Sequence, residues 1–302
     1  MIKSLFITAY KREKIFFSSL KKLKLCQDYN EFKKLVIYQD INNNTLNKIK
    51  KFDSKIEVIN TQYSLDIPIY DKICSNLYQG FKRCFEYYKS EYVICLEDDI
   101  LPAYDFLKFH NDMIIRYRSN KKFFSVNSFS KEYSANLKKN SITNSNFAYA
   151  KFIFGIGNGW SISKEKWPLL KKMINEILIL KSNIPYDAYF EPEIKNKYFV
   201  IMPFRSRCIE QPSNGVHSKL EDKHSKFWIN WKKSFLSKNK YKIKSYIFIP
   251  NMKYTWSSHC LNYTLFNVIK IRLRYFLRKI VKDALGFKKY FLFRRILKKN
   301  FF

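Results

Sequence analysis

Three carboxylates stand in a row in this chain, Glu97, Asp98 and Asp99, directly after the apolar run Tyr92–Leu96. Adjacent anions repel one another, and a chain with a formal net charge of +32 has no general surplus of acids to account for them. Carboxylates at a strand end are hard oxygen ligands. Mg²⁺ and Mn²⁺ take one or two of them and leave other positions to water and phosphate oxygens. A divalent cation here would neutralise the triplet and hold a diphosphate. The competing reading is structural: Asp98 or Asp99 caps a helix opened by Pro102. A cap explains one carboxylate after a buried strand, not three, and these residues favour the metal.

The elements that must position the triplet alternate along the first half. Ser4–Tyr10, Lys34–Asp40, Lys55–Asn60 and Tyr92–Leu96 read as buried strands. A helical pattern covers Lys14–Lys24. Ile69, Ile73, Leu77, Phe81, Cys84 and Tyr88 form one stripe of an amphipathic helix. Continuous apolar strands alternating with helices predict an α/β fold: a mainly parallel, twisted sheet with helices on both faces. Ligands of such sheets bind at the carboxyl ends of the strands. Arg12, Gln39–Asp40 and Glu97–Asp99 all lie at such ends, on the edge where a nucleotide would rest.

The second half is less regular. Residues 128–148 read as a surface loop. Phe154–Trp160 holds three of the chain's six glycines, which predicts a tight backbone or a bulge and not a dinucleotide loop. Helices are expected over Lys164–Leu180 and around Tyr186–Asn196, and a strand over Tyr198–Met202. Glu210–Ser225 reads as a mobile loop.

The six cysteines form no CxxC pair and read as reduced core residues; His110, His217, His224 and His259 are too scattered for a metal triad. Arg205 and Arg207 read equally as ligand-binding or surface charges, and Trp160 as core or as a platform for a sugar ring. No apolar stretch is long enough to span a bilayer. The excess positive charge favours anionic partners. From Asn262 onward Leu265, Ile269, Leu273, Phe276 and Ile280 share a helical face flanked by Lys270, Arg272, Arg274 and Arg278. The expected organisation is therefore one domain over 1–261 and a basic amphipathic tail over 262–302 that associates with an anionic membrane surface. Nucleic acid is not expected as a partner, since no zinc-finger or RRM motif is present.

The strand–Glu-Asp-Asp–Asp-Phe pattern resembles glycosyltransferase family 13, the GT-A-fold N-acetylglucosaminyltransferase I type. In the same order, "FITAYKRE" is similar to that family's first strand and "VIYQD" to its second strand end. "DKICSNLYQGF" is similar to the helix before the acidic motif, and "GNGWSISKEKW" to its Gly-Trp segment. "YDAYF" stands where the family has Trp-Asp-Asp-Trp, and "IMPFRSRCIEQPSNGVHS" resembles its Pro–Arg–Gly-Val segment. The resemblance covers roughly residues 3–230. Tyr186 and Tyr189 replace tryptophans, one Asp stands for two, and Asn76 occupies a position that is His in the family.

That resemblance implies roles. Asp99 would ligate Mn²⁺ (or Mg²⁺), Asp98 would contact the ribose, Glu97 the donor sugar, and Asp40 the uracil. Thr8, Arg12, Asn76 and Trp160 would complete the nucleotide-sugar site, closed by the loop at Gly215 and Val216. Asp187 would be the catalytic base of a single, inverting displacement; the bland alternative makes it a first-turn carboxylate after Pro185. The implied activity is a metal-dependent hexosyltransferase moving a GlcNAc-type sugar from a UDP-sugar to a glycan or glycolipid acceptor in surface polysaccharide synthesis. With no anchor before the first strand, a bacterial cytoplasmic enzyme at the inner face of the membrane is expected. The alternatives are a GT-A enzyme of another family, family 2-like or retaining, and a non-catalytic basic protein of the membrane surface or nucleic acid.

Overall fold

The computed structural model describes residues 1–129, 147–151, 159–180, 186, 190, 194, 197–203, 207–211 and 247–248. The chain divides into Met1–Lys253 and Tyr254–Phe302, and all described residues belong to the first unit. The basic tail thus lies outside them, as do Asp187, Gly215 and Val216.

The first half runs β1 (Lys3–Tyr10), α1 (Glu13–Lys24), β2 (Phe32–Gln39), α2 (Asn43–Phe52), β3 (Ile56–Thr61), α3 (Ile69–Lys82) and β4 (Tyr92–Glu97). There follow β5 (Ile100–Pro102), α4 (Phe106–Tyr117), β6 (Phe123–Asn127), β7 (Phe147–Lys151), β8 (Trp160–Ser163) and α5 (Trp167–Leu180). The last described strands are β9 (Phe199–Pro203), β10 (Cys208–Glu210) and β11 (Ile247–Phe248). Among the described residues nine strands form one sheet in the order β11-β7-β9-β6-β8-β4-β1-β2-β3, with five parallel pairings against three antiparallel. The expected α/β class with a mainly parallel sheet is what the chain adopts.

Period-two alternation sends each strand's side chains to opposite faces. Leu5, Ile7, Val36, Tyr38, Ile94 and Leu96 pack with α1, α2 and α4. Phe6, Leu35, Ile37, Val93 and Cys95 pack with α3 and α5 on the other face. Gly80 brings α3 against the sheet, because a Cβ there would stand 2.5 Å from the Phe6 ring. Five described cysteines are free and buried, as expected for reduced core residues.

The chain travels β1, β2, β3 in one direction and then returns across the sheet through α3 to lay β4 on the far side of β1. The strand order reverses between β1 and β4. In open α/β sheets that reversal opens a crevice at the carboxyl ends of the two strands.

Two expectations need correction. Pro102 does not open a helix: Ile100–Pro102 pairs antiparallel with Cys208–Glu210, and α4 begins only at Phe106. Neither Asp98 nor Asp99 caps it. The expected surface loop over 128–148 also gives way at its end to β7, which pairs with β9.

Candidate functional site

The register places the strand ends level. Thr8 lies opposite Glu97, Tyr10 opposite Gln39, and Gln39 opposite Thr61. Two neighbouring strands then end in non-glycine residues with left-handed backbones, Lys11 (φ 55) and Asp40 (φ 56). Asp tolerates that region and Lys seldom adopts it. At Lys11 the turn closes with Arg12 N–H donating to the Tyr10 carbonyl at 2.7 Å, which reverses the chain and swings Arg12 over β4.

Arg12 occupies the N-cap position of α1 without capping it. Cap positions favour short side chains that accept hydrogen bonds. Here the guanidinium is used elsewhere. Its Nη2 pairs with Asp98 Oδ1, its Nε donates to Asp98 Oδ2 at 3.3 Å, and its Nη1 donates to Asp99 Oδ2 at 2.9 Å. The Tyr10 N–H donates to Asp98 Oδ2 at 3.4 Å. Ser19 Oγ on α1 donates to the Asp98 carbonyl at 2.8 Å, and the Gln211 N–H to the Asp99 carbonyl at 2.7 Å. The Gln211 amide closes the frame by donating to Ser19 Oγ at 3.0 Å. The positive group beside the acidic triplet is thus, in the first instance, Arg12.

Asp98 and Asp99 are both buried. Desolvation pushes Asp98 up to about 6, against the pull of Arg12 and with the help of its Asp99 neighbour. Burial draws the Arg12 guanidinium down, but Asp99 and Asp98 outweigh it and its pKa is raised. Buried, mutually repelling carboxylates with one shared cation are a costly arrangement of the kind that functional sites retain.

Asp99 Oδ1 is buried and has no hydrogen-bond partner among the described residues. It is therefore a hard-oxygen ligand without a claimant. Among the described residues no three His, Cys, Asp or Glu side chains gather into a metal-binding group. A buried carboxylate oxygen of this kind suits a hard divalent cation such as Mg²⁺ or Mn²⁺, which takes one or two protein carboxylates and completes its shell with water and phosphate oxygens.

The remaining expected residues fall into two groups. Glu97 accepts from the Tyr186 hydroxyl at 3.3 Å, which links the acidic triplet to the segment holding Asp187. Thr8 Oγ1 approaches the Leu96 carbonyl at 3.5 Å. Asn76 Oδ1 accepts from Thr61 Oγ1 at 2.9 Å and from the Tyr63 hydroxyl at 2.8 Å, which fixes the amide at the end of β3. Asp40 is exposed beside it, its N–H bonded to the Thr61 carbonyl at 2.9 Å. Trp160 stands apart. It is 2 % exposed and packs on Phe81 at 5.1 Å, so of its two readings the structure takes core over sugar platform. Arg207 is likewise not a surface charge, since it lies buried against Asp105 at 3.0 Å.

Sequence reasoning misses Ser19 and Gln211. Ser19 carries a signal: it sits three residues after Phe16 on the buried stripe of α1, where a hydroxyl demands a partner. It also misses His110, wholly buried between Ser161 Oγ at 2.7 Å and Ser128 Oγ. Burial pushes that imidazole down to about 3, so it is a neutral strut between α4 and the strand ends.

No protein-family model matches the sequence, and no curated protein matches it. Among solved structures the chain is similar to residues 1–349 of TarS from S. aureus in complex with UDP, at 18% identity and a TM-score of 0.45 over 69% of this chain and 60% of that one. The same TarS segment with UDP-GlcNAc matches at 15% identity and 0.45, over 78% and 66%. The mannosyltransferase PcManGT from Pyrobaculum calidifontis, with GDP-Man and Mn²⁺, matches at 12% identity and 0.42, over 71% and 58%. The chain thus spans about two thirds or less of the length of each. Among the described residues no helix is long and apolar enough to cross a membrane.

Proposed function

We propose that this chain is a GT-A-type glycosyltransferase that takes its sugar from a UDP-sugar donor. The observation that carries the reading is the crevice between β1 and β4, where the strand order reverses. There Arg12 meets Asp98 and Asp99 while one buried Asp99 oxygen is left unclaimed. A nucleoside diphosphate suits that place: its base and ribose lie along the strand ends, and its phosphates meet Arg12 and the cation.

In this reading Asp40 and Asn76 hold the base, Asp98 the ribose, Glu97 the donor sugar, and Asp99 the divalent cation. When bound, the cation neutralises the diphosphate that leaves. Gly215 and Val216 belong to the loop that covers the donor. Asp187 takes the proton of the acceptor hydroxyl as it attacks the anomeric carbon, so the product is inverted. Its neighbour Tyr186 already touches Glu97, which supports that assignment. The GlcNAc-type sugar, the family 13 affiliation and a glycan or glycolipid acceptor at the inner membrane face, met by the tail over 262–302, complete the proposal.

A thermal-shift titration of UDP, GDP and ADP, each with and without Mn²⁺, tests it. UDP is expected to raise the melting temperature, and more so with Mn²⁺. If no nucleotide shifts the transition under either condition, the reading is wrong.

A further inference from the structure

Away from the strand ends, α1 and α2 enclose an open groove of about 280 Å³ lined by Phe17, Lys21, Lys48, Lys51 and Phe52. Phe17 and Phe52 only partly join the core, so their rings floor the groove. Lys24 lies 4.5 Å above the Phe52 ring and donates to the Phe52 carbonyl at 2.8 Å. Lys48 is paired with Glu13 at 2.7 Å. Lys21 and Lys51 are exposed, and among the described residues neither ammonium group has a hydrogen bond or an ion pair. Leu25, just past the end of α1, is 65% exposed.

We infer that this face is a docking surface for an anionic phospholipid membrane. Charge complementarity and the apolar floor argue it together. Aromatic rings and an exposed leucine can enter the headgroup boundary, while lysine stems lie along them and hold their ammonium groups at the level of the lipid phosphates. The lining pairs lysine point charges with two aromatic rings and lacks the planar fork of arginine that grips one phosphate bidentately, which favours a diffuse anionic surface with an apolar boundary over a discrete phosphate. The unpaired Lys21 and Lys51 cost nothing to recruit, since no ion pair has to be broken. The inference stands independently of the reaction at the strand ends.

The test uses the full chain with vesicles of phosphatidylcholine containing 30% phosphatidylglycerol, and with phosphatidylcholine alone. Each lysine at an anionic surface contributes about 1 kcal/mol. Lys21→Ala/Lys51→Ala is therefore expected to weaken binding to the anionic vesicles about 20- to 30-fold. Lys82→Ala/Lys172→Ala removes the same charge from α3 and α5, on the other face of the sheet, and is expected to change it less than 3-fold. All four side chains are exposed, and unchanged circular dichroism melting confirms folding. Equal losses in the two double variants, or undiminished binding of the first, would overturn the proposal. So would loss of binding to a single-stranded oligonucleotide without loss of binding to vesicles.

Discussion

Arg12, at the end of β1, grips both carboxylate oxygens of Asp98, at the end of β4, and extends a third hydrogen bond to Asp99. The pair bridges the two strands between which the sheet reverses its order, so the site's electrostatics and the fold's topology meet in one contact. Asp98 has its side chain 3% exposed and Arg12 28%, so only Arg12 retains much water.

Removing the cation should therefore cost stability. Arg12→Ala leaves Asp98 and Asp99 buried beside each other with no counter-charge among the described residues. Breaking a fully buried pair costs about 3–5 kcal/mol; with Arg12 partly solvated the expected loss is about 2–3 kcal/mol in urea unfolding at pH 7.5. The loss should shrink in acid, where Asp98 protonates. A loss that stays constant from pH 7.5 to 5 would contradict the pairing.

Asp98→Asn should move stability the other way. Asp98 titrates at about 6 in the folded protein, above its ordinary 3.8. Between those values the folded state binds more protons than the unfolded state, so stability rises as pH falls through 6. The asparagine mimics the protonated form. Its advantage, up to about 3 kcal/mol for a shift of this size, should be complete above pH 6 and vanish toward pH 4. UDP binding should weaken in the same variant, and calorimetry can read both effects.

Asp99→Asn addresses the cation. It should abolish the Mn²⁺-dependent part of UDP binding and keep the Mn²⁺-independent part. Isothermal titration with and without Mn²⁺ separates the two, and an intact Mn²⁺ enhancement would remove Asp99 from the role.

Asp187→Asn keeps the shape of the proposed base and loses its basicity. Donor binding should be nearly unchanged, because the base acts on the acceptor hydroxyl. Turnover should fall by about 10²–10⁴-fold, the range for one positioned proton acceptor. Near-normal turnover would remove Asp187 from the role of base, and a product that keeps the donor's anomeric configuration would reassign the reaction to a retaining class.

Gly80→Ala sets two effects against each other. Alanine gains about 1 kcal/mol in a helix interior over glycine. Its Cβ would meet Phe6 at 2.5 Å, and Phe6 is fully buried and held edge-on by Phe81 at 4.9 Å. Overpacking of this kind costs about 1–3 kcal/mol, so chemical denaturation should show a net loss.

Much of the first half is legible because it obeys simple periods. The runs at Ser4–Tyr10, Lys34–Asp40 and Tyr92–Leu96 are apolar on both faces, which only a covered parallel sheet requires, and β1, β2 and β4 lie there. The helix α2 escapes the reading because Asn43–Phe52 buries little more than Thr45 and Ile49; its one clear sign is Asn42, whose side chain accepts from the Thr45 N–H at 2.8 Å. Pro102 misleads because β5 has a single partner, β10, and a proline tolerated at a strand's unpaired side looks like one that opens a helix. The approach of Arg12 to Asp98 has no local signal. It depends on a left-handed lysine and on two strands becoming neighbours after a long crossover.

That crossover also orders events in time. β1 leaves the ribosome before either of its partners, yet it ends as an interior strand, flanked by β2 on one side and by β4 on the other. Its pairing from Lys3 to Tyr92 closes a long loop, the kind of contact that slows folding and leaves an adhesive edge open meanwhile. A nascent chain that has not yet reached Glu97 has neither the second edge of β1 covered nor the two carboxylates that Arg12 grips. Emergence of β4, edge protection and assembly of the charge pair thus fall at the same step of synthesis.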